Sequence, residues 1–166
     1  MKRMLILFGL LGMLAAVPGA AQEPEEEYPH YIGGTFGFST GYGLTYRYWK
    51  GPFGFQIVTA PYWHDQIVMV NVGTAVFRTF YETRWTRLFV YLAGSYYFSR
   101  DENNEEDGAT PAEPGYTSEH NFAVGGGPGF EIFLFRNVAL DVLFGLGYRT
   151  DGGLSLTGEA GIYYRF

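Results

Sequence analysis

The chain contains no cysteine. This removes disulfides, the usual staple of small exported domains, and also a lipid-modified cysteine as an anchor. Lysine is nearly absent, with Lys2 and Lys50 as its two instances. A water-soluble β-protein covers its outside with lysine and glutamate, and this sequence has too little of the former. Long apolar runs are also missing. Leu5 to Val17 spans 13 residues, short of the roughly 20 that a helix needs to cross a bilayer. Elsewhere the apolar stretches are broken by Glu131, Asp141 or repeated glycine. Basic charge is scarce, with Lys+Arg 11 against Asp+Glu 17 and a formal charge of −6, which argues against a nucleic-acid partner. The three histidines, His30, His64 and His120, include no pair at metal-ligand spacing.

What is present begins with a leader. Met1-Lys2-Arg3-Met4 is basic, Leu5 to Val17 is apolar, and Pro18-Gly19-Ala20-Ala21 is a small-residue exit. Gly19 and Ala21 fit the −3 and −1 places of an export signal spanning residues 1–21 and cleaved after about Ala21. Loss of Lys2 and Arg3 takes the formal charge from −6 to −8. The remainder suits one domain. Its acids are clustered, in Glu23, Glu25, Glu26 and Glu27 of a flexible tail over residues 22–30 and in a polar loop over residues 101–119. The segments between are nearly uncharged.

Those segments alternate with a period of two, the mark of strands with unlike faces. Eight are predicted: Tyr31–Ser39, Leu44–Trp49, Phe55–Trp63, Ile67–Tyr81, Leu88–Ser99, Asn121–Leu134, Val138–Arg149 and Leu154–Phe166. A tilted strand of about 10 residues covers roughly 23 Å. In the seventh, Val138, Leu140, Val142, Phe144, Leu146 and Tyr148 oppose Ala139, Asp141, Leu143, Gly145, Gly147 and Arg149. The eighth sets Leu154, Leu156, Ala160, Ile162, Tyr164 and Phe166 against Ser155, Thr157, Glu159, Gly161, Tyr163 and Arg165. The second sets Leu44, Tyr46 and Tyr48 against Thr45, Arg47 and Trp49. One face is apolar; the other is small residues with isolated charges.

The alternating final strand ending on Phe166 resembles the last strand of bacterial outer-membrane β-barrels. With the export signal, it makes the chain similar to the small eight-stranded family of OmpX and the OmpA transmembrane domain. The resemblance implies an all-β, eight-stranded, antiparallel, up-and-down transmembrane β-barrel over residues 31–166, located in the outer membrane. It implies that both termini lie in the periplasm and that Ile162, Tyr164 and Phe166 form the signal read by the barrel assembly machinery. Long connections are then allowed after odd-numbered strands, and the one long connection follows the fifth.

In such a barrel the charges must point inward, since a lipid-facing Arg or Lys at mid-bilayer costs roughly 2–4 kcal/mol. Arg47, Glu131, Asp141, Glu159 and Arg165 are therefore expected to form a lumen network of Arg–carboxylate bridges, with Arg149 at the outer rim. Tyr31, Trp49, Trp63, Tyr148, Tyr164 and Phe166 are expected in interfacial aromatic girdles. Arg78 breaks the outward row of the fourth strand, so it sits at the headgroups or beside a bulge. Pro128 predicts a bulge or a missing ladder bond in the sixth.

A non-enzymatic structural or surface-interaction role follows, with a charge-plugged lumen, no cofactor and a monomeric state. The partners are outer-membrane lipids, lipopolysaccharide and, at the acidic loop, divalent cations, although the loop lacks the spacing of an organised calcium site. Two other readings stand beside it. Ser118, His120 and Glu131 resemble the constellation of lipid A deacylases, but Phe122 stands where that family has its serine. A soluble lipocalin-like barrel requires the opposite sidedness, with Leu140 and Phe144 inside.

Overall fold

The computed structural model describes residues 28–64, 67–103 and 115–166, with the side chains of residues 62–68 and 101–117 excepted. The predicted leader, most of the acidic tail, most of the acidic loop and the side chain of Trp63 therefore lie outside the described residues.

Eight strands follow one another: β1 His30–Phe36, β2 Tyr42–Lys50, β3 Phe53–His64, β4 Ile67–Glu82, β5 Thr86–Asn103, β6 Gly115–Phe135, β7 Val138–Arg149 and β8 Gly153–Arg165. Each pairs antiparallel with its neighbours in sequence, and β1 pairs with β8 to close a barrel. Closure leaves no edge strand, so the ladder groups pair inside the sheet except at its local irregularities. The seam runs from Tyr31 opposite Arg165 to Phe36 opposite Ala160. Beyond it, His30 and Phe166 exchange two backbone hydrogen bonds of 3.1 and 2.8 Å. Their rings also stack at 5.6 Å.

The period-two pattern becomes two walls. Along β4, Asn71, Gly73, Ala75, Phe77 and Thr79 are buried while Val72, Thr74 and Val76 are exposed. Along β7, Ala139, Asp141, Leu143 and Gly147 are buried while Phe144, Leu146 and Tyr148 are exposed. The large apolar residues form the outside, up to Leu156 at 86% exposure, and Arg47, Glu131 and Asp141 lie inside at 0–1%. This sidedness excludes a lipocalin-like barrel, whose apolar residues would line the cavity.

Both irregularities expected of the sheet have a structural outcome. Arg78 keeps its register opposite Phe53, beside the short β2–β3 turn, with its guanidinium 5.9 Å from the Phe53 ring. It is thus at the end of the barrel that carries the termini, and the β4–β5 bulge follows it, between Thr79 and Tyr81. At Pro128 the β6–β7 ladder is interrupted opposite Phe144 and Gly145, and it resumes at Gly129–Leu143 in the same register. The imino nitrogen has no hydrogen to donate, so the interruption needs no shift.

The largest differences from the predicted strand limits lie at the end of β5, the start of β6 and the end of β1. β5 and β6 stay paired out to Asn103–Gly115, so the predicted loop over residues 101–119 is entered by a long hairpin. β1 ends at Phe36 instead of Ser39, because residues 37–41 turn back into the barrel.

Candidate functional site

Two layers lie in the lumen, one of side chains and one of inward-folded chain. The layer nearer the termini centres on Arg47 of β2, which has four acceptors from four other strands. Its Nε donates to Gln56 Oε1 at 2.8 Å, Nη1 to Glu131 Oε1 at 3.3 Å, and Nη2 to both Tyr163 OH at 2.7 Å and Asp141 Oδ2. Its guanidinium lies between the Phe77 ring at 4.4 Å and the Tyr163 ring at 4.3 Å. A planar delocalised cation suits this sandwich as ammonium would not.

Arg87 of β5 continues the layer. It grips Glu82 through two bonds of 2.8 Å and reaches Glu131 Oε2 at 3.4 Å. Tyr31 completes this group, donating to Glu131 Oε2 at 3.2 Å and accepting from Arg87 Nη1 at 3.1 Å. Below the charges, Trp49, Phe77 and Phe89 pack with ring centroids 5.3–6.0 Å apart. Arg87 lies 4.1 Å over the Trp49 ring.

The inward glycines are what admit these large groups. Gly54 stands opposite Trp49, and a Cβ there would come within 2.8 Å of the indole. At Gly129 a Cβ would meet the Phe89 ring at 2.5 Å. An eight-stranded barrel has interior enough for side chains alone, so each bulky residue requires a small one beside it.

The second layer is made by backbone. Residues 37–41, between β1 and β2, fold inward, and Glu159 of β8 holds them. Its Oε1 accepts from Ser39 N at 2.9 Å and Ser39 Oγ at 2.5 Å. Its Oε2 accepts from Thr40 N at 3.1 Å and Thr40 Oγ1 at 2.5 Å. Four donors on one carboxylate replace the hydration that the buried charge has lost. The chain leaves this turn through Gly41 at φ 83°, where a side chain would be strained. Above the clamp a cavity of about 350 Å³ opens at the loop end, with Asn71, Tyr97, Asn121 and Arg149 among its walls.

Of the expected lumen residues, Arg47, Glu131 and Asp141 meet directly. Glu159 is bound by the hydroxyls and amides of Ser39 and Thr40 instead of by arginine. Arg165 packs on aromatic rings, 4.1 Å from Phe133 and 5.4 Å from Tyr31, and its Nε has no hydrogen-bond partner among the described residues. Arg149 is at the exposed loop end, bonded to Asp151 at 2.6 Å.

The girdle assignment needs correction at two positions. Tyr31 and Trp49 are both 0% exposed and lie in the lumen, not at a lipid interface. Parity is the reason: Tyr31 pairs with Arg47 across β1–β2, and Trp49 stands two residues beyond Arg47 on the same face. Tyr148, Tyr164 and Phe166 do stand on the outer wall. Arg87, one residue before the predicted fifth strand, belongs to β5 and is buried at 3% exposure. Its parity with Phe89 and Tyr91 was the available signal. Tyr163 has the same signal, standing on the inward face of the eighth strand, whereas Gln56 is of a residue type that does not demand burial.

His120 accounts for the remaining chemistry. Its Nδ1 is 2.6 Å from Tyr96 OH on the outer wall. Among the described residues no serine or threonine hydroxyl bonds it, and Glu131 lies buried in the other layer.

A closed antiparallel sheet with an apolar convex wall and ionised groups at its axis defines the class: an integral outer-membrane β-barrel of eight strands. No family model and no curated protein matches the sequence. Among solved structures the chain is similar to the N-terminal β-barrel domain of Pseudomonas aeruginosa OprF, with 16% identity over 82% of this chain and 95% of that one and a TM-score of 0.48. It is similar to a major outer membrane protein of Thermus thermophilus, with 14% identity, coverage of 82% and 98% and a TM-score of 0.48. Ail, the attachment invasion locus protein of Yersinia pestis, follows with 14% identity, coverage of 82% and 93% and a TM-score of 0.44. The class rests on this chain's own closure and sidedness, not on likenesses of that degree.

Proposed function

We propose that the protein is a non-enzymatic structural and surface-interaction component of the outer membrane, with a lumen blocked to ions. The observation that carries this reading is the double filling of the interior. The Arg47–Glu131–Asp141 layer lies at one depth and the Glu159-clamped turn at another. The two constrictions stand in series, and either alone obstructs a continuous water path.

Against hydrolysis stands the company of His120: a phenol, with no aliphatic hydroxyl nucleophile bonded to it among the described residues. The leader over residues 1–21 delivers the chain to the periplasm, and the machinery that assembles barrels reads Ile162, Tyr164 and Phe166. The mature protein is a monomer among outer-membrane lipids and lipopolysaccharide, presenting its acidic hairpin to divalent cations at the cell surface.

Single-channel recording of the refolded barrel in planar bilayers tests the blocked lumen. The expected record is flat at moderate voltage. A steady ohmic conductance would overturn it.

A further inference from the structure

The cavity at the loop end has a floor, because the clamped turn over residues 37–41 lies directly beneath it. It is therefore a cup open to the outside, an inference that rests on the blocked lumen proposed above. Its volume of about 350 Å³ is at the small end of ligand pockets and suits one compact molecule.

The register explains its chemistry. Asn71 of β4 pairs with Tyr97 of β5, which pairs with Asn121 of β6. Three neighbouring strands thus set amide, phenol and amide side by side on the inward wall, at cross-strand spacing. Asn71 Oδ1 is committed to the Tyr42 amide at 3.1 Å, which fixes the group and leaves its Nδ2 donors to the cup. Among the described residues, no hydrogen bond engages the Tyr97 hydroxyl or the Glu119 carboxylate, both of which line the same space. Phe38 adds an apolar surface, covered on one side by Arg149 at 5.0 Å.

We infer that this cup binds a single neutral or amino-bearing hexose unit. Sugar hydroxyls both donate and accept, which matches alternating amides, phenol and carboxylate. The C–H faces of a pyranose match the rings of Tyr97 and Phe38. The charged lining decides against an acidic sugar: Glu119 and Asp151 face one cation, Arg149, so the cup is formally negative by one. Anions are repelled where amines are tolerated.

The test uses the full mature chain refolded in micelles, with its amide resonances followed during titration with methyl glucoside, glucosamine and glucuronate in turn. Saturable shifts at Asn71, Tyr97 and Asn121 are expected from the first two in the millimolar range, with glucuronate weaker by about tenfold. Tyr97→Phe removes one hydroxyl and should weaken binding about fivefold. Ser95→Trp fills the cup and should abolish binding; heat-modifiable mobility on a gel reports whether each variant has folded. If Ser95→Trp does not fold, Tyr97→Phe decides.

Absence of saturable shifts with any of the three sugars overturns the inference. So does wild-type affinity in folded Tyr97→Phe, and so does glucuronate binding as tightly as the glucoside. Conductance of the same preparation separates the two readings. A silent barrel with no sugar shifts sinks the cup alone, and an open pore sinks the floor on which it rests.

Discussion

Arg47→Met is the perturbation that bears most directly on the lumen. Methionine retains much of the volume between the Phe77 and Tyr163 rings but none of the charge. The consequence is unequal for the two carboxylates. Glu131 keeps Arg87 at 3.4 Å and the Tyr31 hydroxyl at 3.2 Å. Asp141 loses its arginine, and its Oδ1 already lacks a partner. Removing one member of a buried ion pair costs about 3–5 kcal/mol, because the remaining charge stays desolvated.

The cost therefore falls on Asp141, and the remedy is specific. Arg47→Met with Asp141→Asn should regain about 2 kcal/mol or more of the loss, since the orphaned charge is gone. Arg47→Met with Glu131→Gln should regain little, because it also strips Arg87 of a partner. Urea unfolding of the barrel in phospholipid vesicles, followed by tryptophan fluorescence and heat-modifiable mobility, measures all three. A loss below about 1 kcal/mol in the single variant would refute the reasoning. Equal rescue by the two carboxylate changes would refute the assignment of the orphan.

Three further outcomes are expected. Phe144→Arg places a cation on the lipid wall of β7 and should cost about 2–4 kcal/mol in vesicles, against far less in detergent, as read by the same urea titration. Glu159→Gln turns an amide nitrogen towards donors that need an acceptor, so hydrogen exchange at Ser39 and Thr40 should accelerate by about tenfold while the barrel stays folded. Deletion of Phe166 removes the ring stacked on His30 and two backbone bonds of the seam; cell fractionation should then find periplasmic, unassembled chain, and normal insertion would discard the assembly signal.

Much of the architecture is legible in the sequence because a barrel strand has only two directions in which to send a side chain. Every second residue must satisfy hydrocarbon and the rest must fit a narrow core, so parity alone places Leu140, Phe144 and Leu156 outside and Arg47, Glu131 and Asp141 inside. The same rule, applied strictly, puts Tyr31, Trp49 and Arg87 inside as well. Residue type misleads at these positions, since tyrosine and tryptophan also suit interfaces and arginine also suits turns.

Parity says which side a residue faces; it says nothing of which residues meet there. Partners in the lumen are set by strand stagger and by depth along the axis, quantities spread over all eight strands at once. Arg47 reaches Asp141 and Tyr163, 94 and 116 residues away in the chain, and no local pattern encodes that meeting. The inward turn of residues 37–41 is likewise a tertiary decision. Ser39 and Thr40 would be ordinary loop residues in water, and only a carboxylate held at the right height on β8 makes burial of their donors favourable.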